Sequence, residues 1–288
     1  MRGNYLKGNS KNLKIVKFEE LNWKQIDKLD RDKTIFFLPI SPLEEHGPHL
    51  PVGTDLLTIK DATTSAIKIL NQKNPDLTYV MLPSIPIGYC KFNTDFPGSI
   101  SVSGKLVRDV VYSVGESLGN YGFKFLVICT FHMAIAHLRG INSAMKKLES
   151  RYKMKLAEPW GPFFYNEEID KKEPKLGFDT SKEVHACFRE TSLMKYQYPY
   201  LVDESYKNLQ DVHRDSTSAT VIGKKFKQLG IKDGYIGSPA KADPDYGRWY
   251  FNEIVNVFVN SALDLYNGKK QLEYPLFIKT AMKGIFWQ

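Results

Sequence analysis

The chain has 288 residues, of which 42% are hydrophobic and 25% charged, proportions that are typical of a globular protein and exclude wholesale disorder. Its three widely separated cysteines, Cys90, Cys129 and Cys187, exclude a disulfide scaffold and a cysteine zinc ribbon. The net charge is +8, but no basic block and no nucleic-acid motif accompany it, so we expect a lysine-rich surface and no nucleic-acid partner.

Apolar runs alternate with helical spacings from Thr34 to Tyr152. The predicted elements, in chain order, are a strand at Thr34–Ile40, a helix at Asp55–Leu70, a strand at Leu77–Leu82, a helix at Gly104–Tyr121, a strand at Phe125–Cys129 and a helix at Leu138–Tyr152. This alternation predicts an α/β fold with three layers, in which a mostly parallel sheet carries helices on both faces.

The second half of the chain is less regular. Glu158–Glu183 is rich in proline, glycine and aromatic residues, which indicates a long loop or flap. Helices are predicted at Ser216–Leu229 and Tyr246–Tyr266, and the basic, aromatic tail from Gly268 could pack on a neighbouring subunit. No linker or repeat is visible, so we expect a single domain over residues 1–288 with a core at roughly 30–268.

The histidines point to a site at one edge of the predicted sheet. Four of the six follow the first and third predicted strands: His46, His49, His132 and His137. Ligands bind at the carboxyl ends of the strands in open α/β sheets, so the stretches Ser41–Asp55 and Cys129–His137 should converge there.

The first stretch offers metal-ligating side chains. Glu44 and His46 are two residues apart and point the same way in extended backbone, whereas Glu45 points the other way. Asp55 begins the next helix, either as its N-cap or as a metal ligand. Carboxylate and imidazole donors suit Zn²⁺, Mn²⁺ or Fe²⁺. A helix cap with solvated charges is the alternative interpretation.

Two further stretches add candidates. His132 lies just past the third strand and is expected to be a ligand, whereas His137 has either a structural or a substrate-contact role. In Glu183–Leu193, His185 has a pKa suited to proton transfer near neutrality. Glu190 could complete a metal site or orient a histidine.

Five blocks of sequence, taken together, resemble the creatininase (creatinine amidohydrolase) family. They are LPISPLEEHGPHLPVGTD at 38–55, FPGSIS at 96–101, VICTFH at 127–132, EVHACFRETSLM at 183–194 and GSPAKADPDYGR at 237–248. The resemblance covers most of residues 30–268. It implies an α/β enzyme that forms homo-oligomers, often hexamers, and hydrolyses C–N bonds with one or two divalent metals.

The resemblance also implies roles for individual residues. Glu44, Asp55 and His132 match the ligands of one metal, and His46 with the bridging Asp55 matches those of a second. His185 resembles the histidine that protonates the leaving nitrogen. The chemistry is consistent, because a metal-bound water loses its proton near neutral pH and can attack an amide carbon.

The chain departs from creatininase at the metal site and at the flap. Ala134 stands where creatininase has a glutamate ligand, and Glu190 is the candidate to replace it. Met133 stands in place of a tyrosine and Ser181 in place of a flap tryptophan. Trp160 could match the other flap tryptophan, although a hydrophobic loop anchor is the commoner role.

The sequence therefore predicts a metal-dependent amidohydrolase that acts on a C–N bond, other than a peptide bond, in a small molecule other than creatinine. The predicted catalytic residues are His185 and Glu190. The cofactor is expected to be one or two divalent ions: Zn, Mn or Fe(II). A peptidase, a formamide deformylase of the same family and a catalytically silent metal-binding scaffold are the alternatives.

The expected setting is the cytoplasm. No apolar run approaches the ~18 residues that a membrane helix needs, and residues 1–14 lack the apolar core of a signal peptide. The resemblance implies a homo-oligomer, up to a hexamer, with a small-molecule substrate, and we expect neither nucleic acid nor membrane as a partner.

Overall fold

A parallel sheet lies at the centre of the computed structural model, which describes residues 15–214 and 224–284. Five strands form it among these residues, in the order β1-β3-β2-β4-β5, and each neighbouring pair is parallel. The strands are β1 (Val16–Lys17), β2 (Thr34–Pro39), β3 (Thr78–Met81), β4 (Phe125–Cys129) and β5 (Lys155–Ala157).

Helices cover both faces of the sheet, so the predicted three-layer α/β fold is confirmed. The helices are α1 (Trp23–Asp27), α2 (Thr54–Lys73), α3 (Gly104–Asn120), α4 (Ile135–Tyr152), α5 (Trp160–Tyr165), α6 (Phe188–Gln197), α7 (Pro244–Tyr266) and α8 (Leu276–Gly284). Ile35 and Phe37 of β2 pack with α2 and α7, whereas Phe36 and Leu38 pack with α3 and α4. Alternate strand residues therefore build two separate cores.

The predicted strands and long helices lie within a few residues of the observed ones, and the misses occur at short elements. β1 and β5 have two and three residues, too few to show a pattern. The predicted loop at 158–183 contains α5, which begins at Trp160. The predicted helix at Ser216–Leu229 lies largely outside the described residues, and its described end is wrong, because only a 3₁₀ turn at Lys227–Leu229 forms there.

The C-terminal segment packs against its own chain. Ile278 and Met282 of α8 are buried against Leu138 of α4, while Leu276 and Phe277 remain 80% and 63% exposed. A packed inner face and an apolar outer face thus coexist on one short helix. None of the described helices has both the length and the hydropathy to cross a bilayer.

The sheet order creates a crevice between two central strands. β2 and β4 are neighbours, but the chain leaves β2 through α2 toward β3 and leaves β4 through α4 toward β5, on the opposite side. Connections that diverge in this way open a ligand-binding crevice at the carboxyl ends of the two strands.

Candidate metal centre

Five candidate ligands from four segments meet at this crevice. Glu44 and His46 lie in the loop after β2, Asp55 in the first turn of α2, His132 three residues after β4, and Glu190 in the first turn of α6. All are buried except Glu190, which is partly buried. Their donor atoms fall into groups within 4.8 Å of one another, which could hold metal ions.

The first group consists of Glu44, Asp55 and His132. The Nε2–H of His132 donates to the carbonyl oxygen of Tyr89 over 2.8 Å, which leaves Nδ1 facing the two carboxylates. Nδ1 lies 3.0 Å from Glu44 Oε2 and 3.1 Å from Asp55 Oδ2. A nitrogen lone pair among anionic oxygens is unfavourable unless a proton or a metal cation lies between them.

The second group consists of His46, Asp55 and Glu190. The Nδ1–H of His46 donates to the Glu44 carbonyl oxygen over 2.9 Å, so Nε2 faces the carboxylates. It lies 3.4 Å from Asp55 Oδ1 and 3.9 Å from Glu190 Oε1. His46 Nε2 and Glu190 Oε2 are buried and have no hydrogen-bond partner among the described residues. Orphaned donor atoms of these types fit a divalent cation.

The carboxylates of both groups favour positive charge. Burial alone would lower the pKa of His46, but Asp55, Glu190 and Glu44 outweigh it and raise that pKa to about 10. The pKa of His132 is likewise raised well above its usual value by Glu44 and Asp55, against the effect of burial. Each ring therefore takes up a proton when the cation is absent.

Asp55 joins the two groups through its two oxygens. Oδ2 faces His132 and Oδ1 faces His46. The alternative role as an N-cap is wrong, because Gly53 occupies the cap position and α2 begins without a side-chain cap. One carboxylate thus lies where it could bridge two ions.

His185 lies on a strained segment next to these groups, and its donor atom forms a third group within 4.8 Å together with Glu44 and His46. Its Nε2–H donates to the Glu45 carbonyl oxygen over 2.8 Å, and its ring centroid is 4.4 Å from that of His46. Ala186 has a φ of 47°, in the left-handed region that costs about 1–3 kcal/mol for a residue with a side chain. Two backbone hydrogen bonds between His185 and Ile236, of 3.1 and 2.8 Å, hold this conformation.

Glu45 is a buried neighbour of His185 that sequence reasoning left without a role. Its Oε2 accepts from the Gly47 amide, and its Oε1 lies 3.6 Å from His185 Nε2. A Cβ on Gly234 would come within 2.1 Å of Glu45 Oε2. A side chain at position 234 would therefore force this carboxylate to move, and the φ of 71° at Gly234 also favours glycine.

The remaining candidates are structural neighbours of the centre, core residues or residues without a donor; the His137 ring lies edge-on to the His132 ring, 5.2 Å between centroids. His137 is buried, its Nε2 is 3.1 Å from the Thr130 hydroxyl, and burial lowers its pKa well below the usual value, which indicates a structural role. Trp160 is fully buried and stacks on Phe131, so it is a core residue. Ala134 precedes α4 and has no ligating side chain.

Two contacts to the first group come from residues that the motifs did not identify. Asn93 donates to Glu44 and the Tyr89 carbonyl accepts from His132. Both precede the FPGSIS block, in a stretch with no helical or strand period. Their chemistry is visible only once the chain is folded.

Comparison with known proteins gives a consistent result. A family model described as creatininase, creatinine amidohydrolase, matches residues 19–261. The creatinine amidohydrolase of Pseudomonas putida is 26% identical over 204 residues, which are 66% of this chain and 75% of the relative.

Solved structures share the fold. A crystal structure of creatinine amidohydrolase matches with a TM-score of 0.67 at 23% identity, covering 86% of this chain and 96% of the other. A structure described as creatininase Mn has a TM-score of 0.68 at 21% identity, covering 88% and 99%.

Proposed function

Because this chain belongs to the creatininase family of amidohydrolases, we propose that it hydrolyses a non-peptide C–N bond in a small amide other than creatinine. One or two divalent cations would be held by Glu44, His46, Asp55, His132 and Glu190. The observation that carries this proposal is the pair of buried histidine–carboxylate groups sharing Asp55, with donor atoms left unpartnered.

The residues around the centre have different roles in the hydrolysis of an amide. When bound by these residues, a divalent cation would supply Lewis-acid activation of water and polarisation of the amide carbonyl. His185 keeps Nε2 on the Glu45 carbonyl, which leaves Nδ1 to carry a proton to the leaving nitrogen. The walls of buried side chains exclude bulk water and strengthen these electrostatic interactions.

Glu190 replaces the glutamate ligand that creatininase has at the position of Ala134. Its Oε1 lies 3.9 Å from His46 Nε2, and burial raises the pKa of its carboxyl group. A carboxylate with a raised pKa can also accept a proton from the attacking water. Glu190 is therefore proposed both as a ligand of the second group and as a catalytic base.

The surroundings of the centre support a substrate other than creatinine. A flat ring such as creatinine is best held by an aromatic cover that excludes water. At the flap position Ser181 is exposed and donates to Asp179, so it gives no such cover. The Met133 carbonyl accepts a hydrogen bond from the Tyr165 hydroxyl over 2.6 Å. The thioether of Met133 offers no strong hydrogen bond to a substrate.

Turnover of a panel of amides tests this proposal. Protein loaded with Mn²⁺ or Zn²⁺ would be assayed with formamides, cyclic amides, dipeptides and creatinine, with metal-free protein as the control. We expect metal-dependent turnover of a non-peptide amide, and a kcat/KM for creatinine well below ~10⁴ M⁻¹s⁻¹, the low end of the usual enzyme range. Efficient creatinine hydrolysis contradicts the substrate, dipeptide hydrolysis supports a peptidase, and no turnover by metal-loaded protein supports a scaffold.

A further inference from the structure

The segment between β3 and α3 supplies no candidate ligand, yet it contacts two ligands of the first group. We infer that Asn93 is a positioning residue that orients the Glu44 carboxylate and thereby sets the affinity of the Glu44–Asp55–His132 group for a divalent cation. This inference rests on the proposed metal centre and adds a residue that lies outside it.

The contact between Asn93 and Glu44 is direct and directional. Asn93 Nδ2 donates to Glu44 Oε1 over 2.7 Å, and the other oxygen, Oε2, lies 3.0 Å from His132 Nδ1. An ionised carboxylate only accepts hydrogen bonds, so the amide nitrogen of Asn93 must face it. One oxygen of Glu44 is thus engaged and the other is aimed at the group.

The orientation of the Asn93 side chain is itself fixed by a hydrogen bond. It is fully buried, and its Oδ1 accepts from the Ser99 hydroxyl over 3.1 Å. Ser99 Oγ in turn accepts from the Glu45 amide over 3.0 Å. A continuous set of hydrogen bonds therefore runs from the backbone of the ligand loop through Ser99 and Asn93 to the Glu44 carboxylate, and such networks restrict the orientation of each member.

The same segment fixes the histidine of the group. The Tyr89 carbonyl accepts from His132 Nε2, which selects the tautomer with a lone pair on Nδ1. The Phe92 ring lies nearly parallel to the His132 ring, 9° between planes and 6.3 Å between centroids. Outer contacts of this kind typically change metal affinity 10–100-fold when they are removed.

Within the described parts of the chain, the Glu190 carboxylate of the second group has no hydrogen bond like the one from Asn93 to Glu44. Glu190 Oε2 has no hydrogen-bond partner among the described residues, and its side chain is 15% exposed. Loss of the Asn93 contact should consequently weaken the first group and leave the second nearly unchanged. This selectivity separates a positioning role from a general effect on folding.

Calorimetric titration of metal-free protein with Mn²⁺ tests the inference. A Glu190→Gln background weakens the second group, so the tighter binding that remains reports the first. In that background Asn93→Leu should weaken Mn²⁺ binding 10–100-fold. Asn93→Asp, which keeps the acceptor for Ser99 but places an oxygen opposite Glu44, should weaken it at least as much. Thr94→Ala is the matched control, because the Thr94 hydroxyl donates to the Lys91 carbonyl in the same turn.

The outcomes distinguish this inference from the proposed function. If the parent protein with intact ligands binds no Mn²⁺, the metal centre itself is wrong. If the parent binds and both Asn93 variants bind within threefold of it, Asn93 has no positioning role. Metal-free melting temperatures are measured in parallel, and unfolding of both variants would identify Asn93 as a purely structural residue and overturn the inference.

Discussion

The two metal-ligand groups share Asp55 but differ in how their other members are held. In the first group, Glu44 accepts from Asn93 and His132 donates to the Tyr89 carbonyl, so each ligand has an outer partner. In the second, His46 is held by a backbone carbonyl, but Glu190 Oε2 has no partner among the described residues. Preorganised ligands lose less freedom on binding, so the first group should bind a cation more tightly.

This difference in how the ligands are held follows from the elements on which they lie. Glu44 and His132 follow the adjacent strands β2 and β4, whose ends are fixed by the sheet. Glu190 lies on α6, which follows the strained Ala186 and packs on α7. A ligand that depends on helix packing is less constrained than one at a strand end.

Removal of the shared carboxylate should have the largest effect. Asp55→Ala takes a ligand from both groups, so we expect the purified protein to lose most of its divalent metal by elemental analysis. Asp61→Asn, a change on the same helix at a carboxylate that accepts from Tyr198, should keep it. Full metal occupancy in Asp55→Ala contradicts the shared role.

His185 should matter for turnover rather than for metal content. His185→Ala is expected to retain its metal and lose 10²–10⁴-fold in kcat, the usual contribution of positioned acid–base catalysis. Metal content and kcat are measured on the same preparation. Loss of metal in this variant would instead make His185 a ligand, and unchanged turnover would make it structural.

Glu190→Gln should separate the two groups. The variant loses a charged ligand of the second group alone. We therefore expect the affinity of the weaker of two Mn²⁺-binding steps to fall by more than the roughly 10–100-fold that loss of an outer partner costs, and the affinity of the tighter step to stay. Calorimetry resolves the two steps. Equal weakening of both would show that the groups are not independent at Glu190.

The effect of pH on stability should depend on metal loading. The pKa of His46 is raised from 6.5 to about 10 in the metal-free chain, so its protonated form stabilises folding fully below pH 6.5 and this contribution is lost as the pH rises toward 10. A cation competes with this proton for His46, so the affinity for the cation rises as the pH rises from 6.5 to about 10. The melting temperature of metal-loaded protein should therefore exceed that of metal-free protein by more at pH 9.5 than at pH 6.5; a constant difference would contradict this.

The fold and the candidate ligands could be predicted because both depend on strong local patterns. β2 and β4 are buried apolar runs, and polar residues directly after them must meet at one sheet edge. The outer contacts carry no such signal: Asn93 lies in a 3₁₀ turn and reaches Glu44 across 49 positions of sequence. Trp160 shows that local sequence can leave a role open: both a flap position and a hydrophobic anchor were compatible with it, and its full burial supports the anchor.

Anomalous diffraction from a crystal of Mn²⁺-loaded protein tests the central claim most directly. The account predicts a strong peak within bonding distance of Glu44, Asp55 and His132 Nδ1. A second peak, of equal or lower occupancy, should lie beside His46 Nε2, Asp55 and Glu190. Absence of any peak in this crevice, or a peak bound by other side chains, would contradict the assignment of the metal centre.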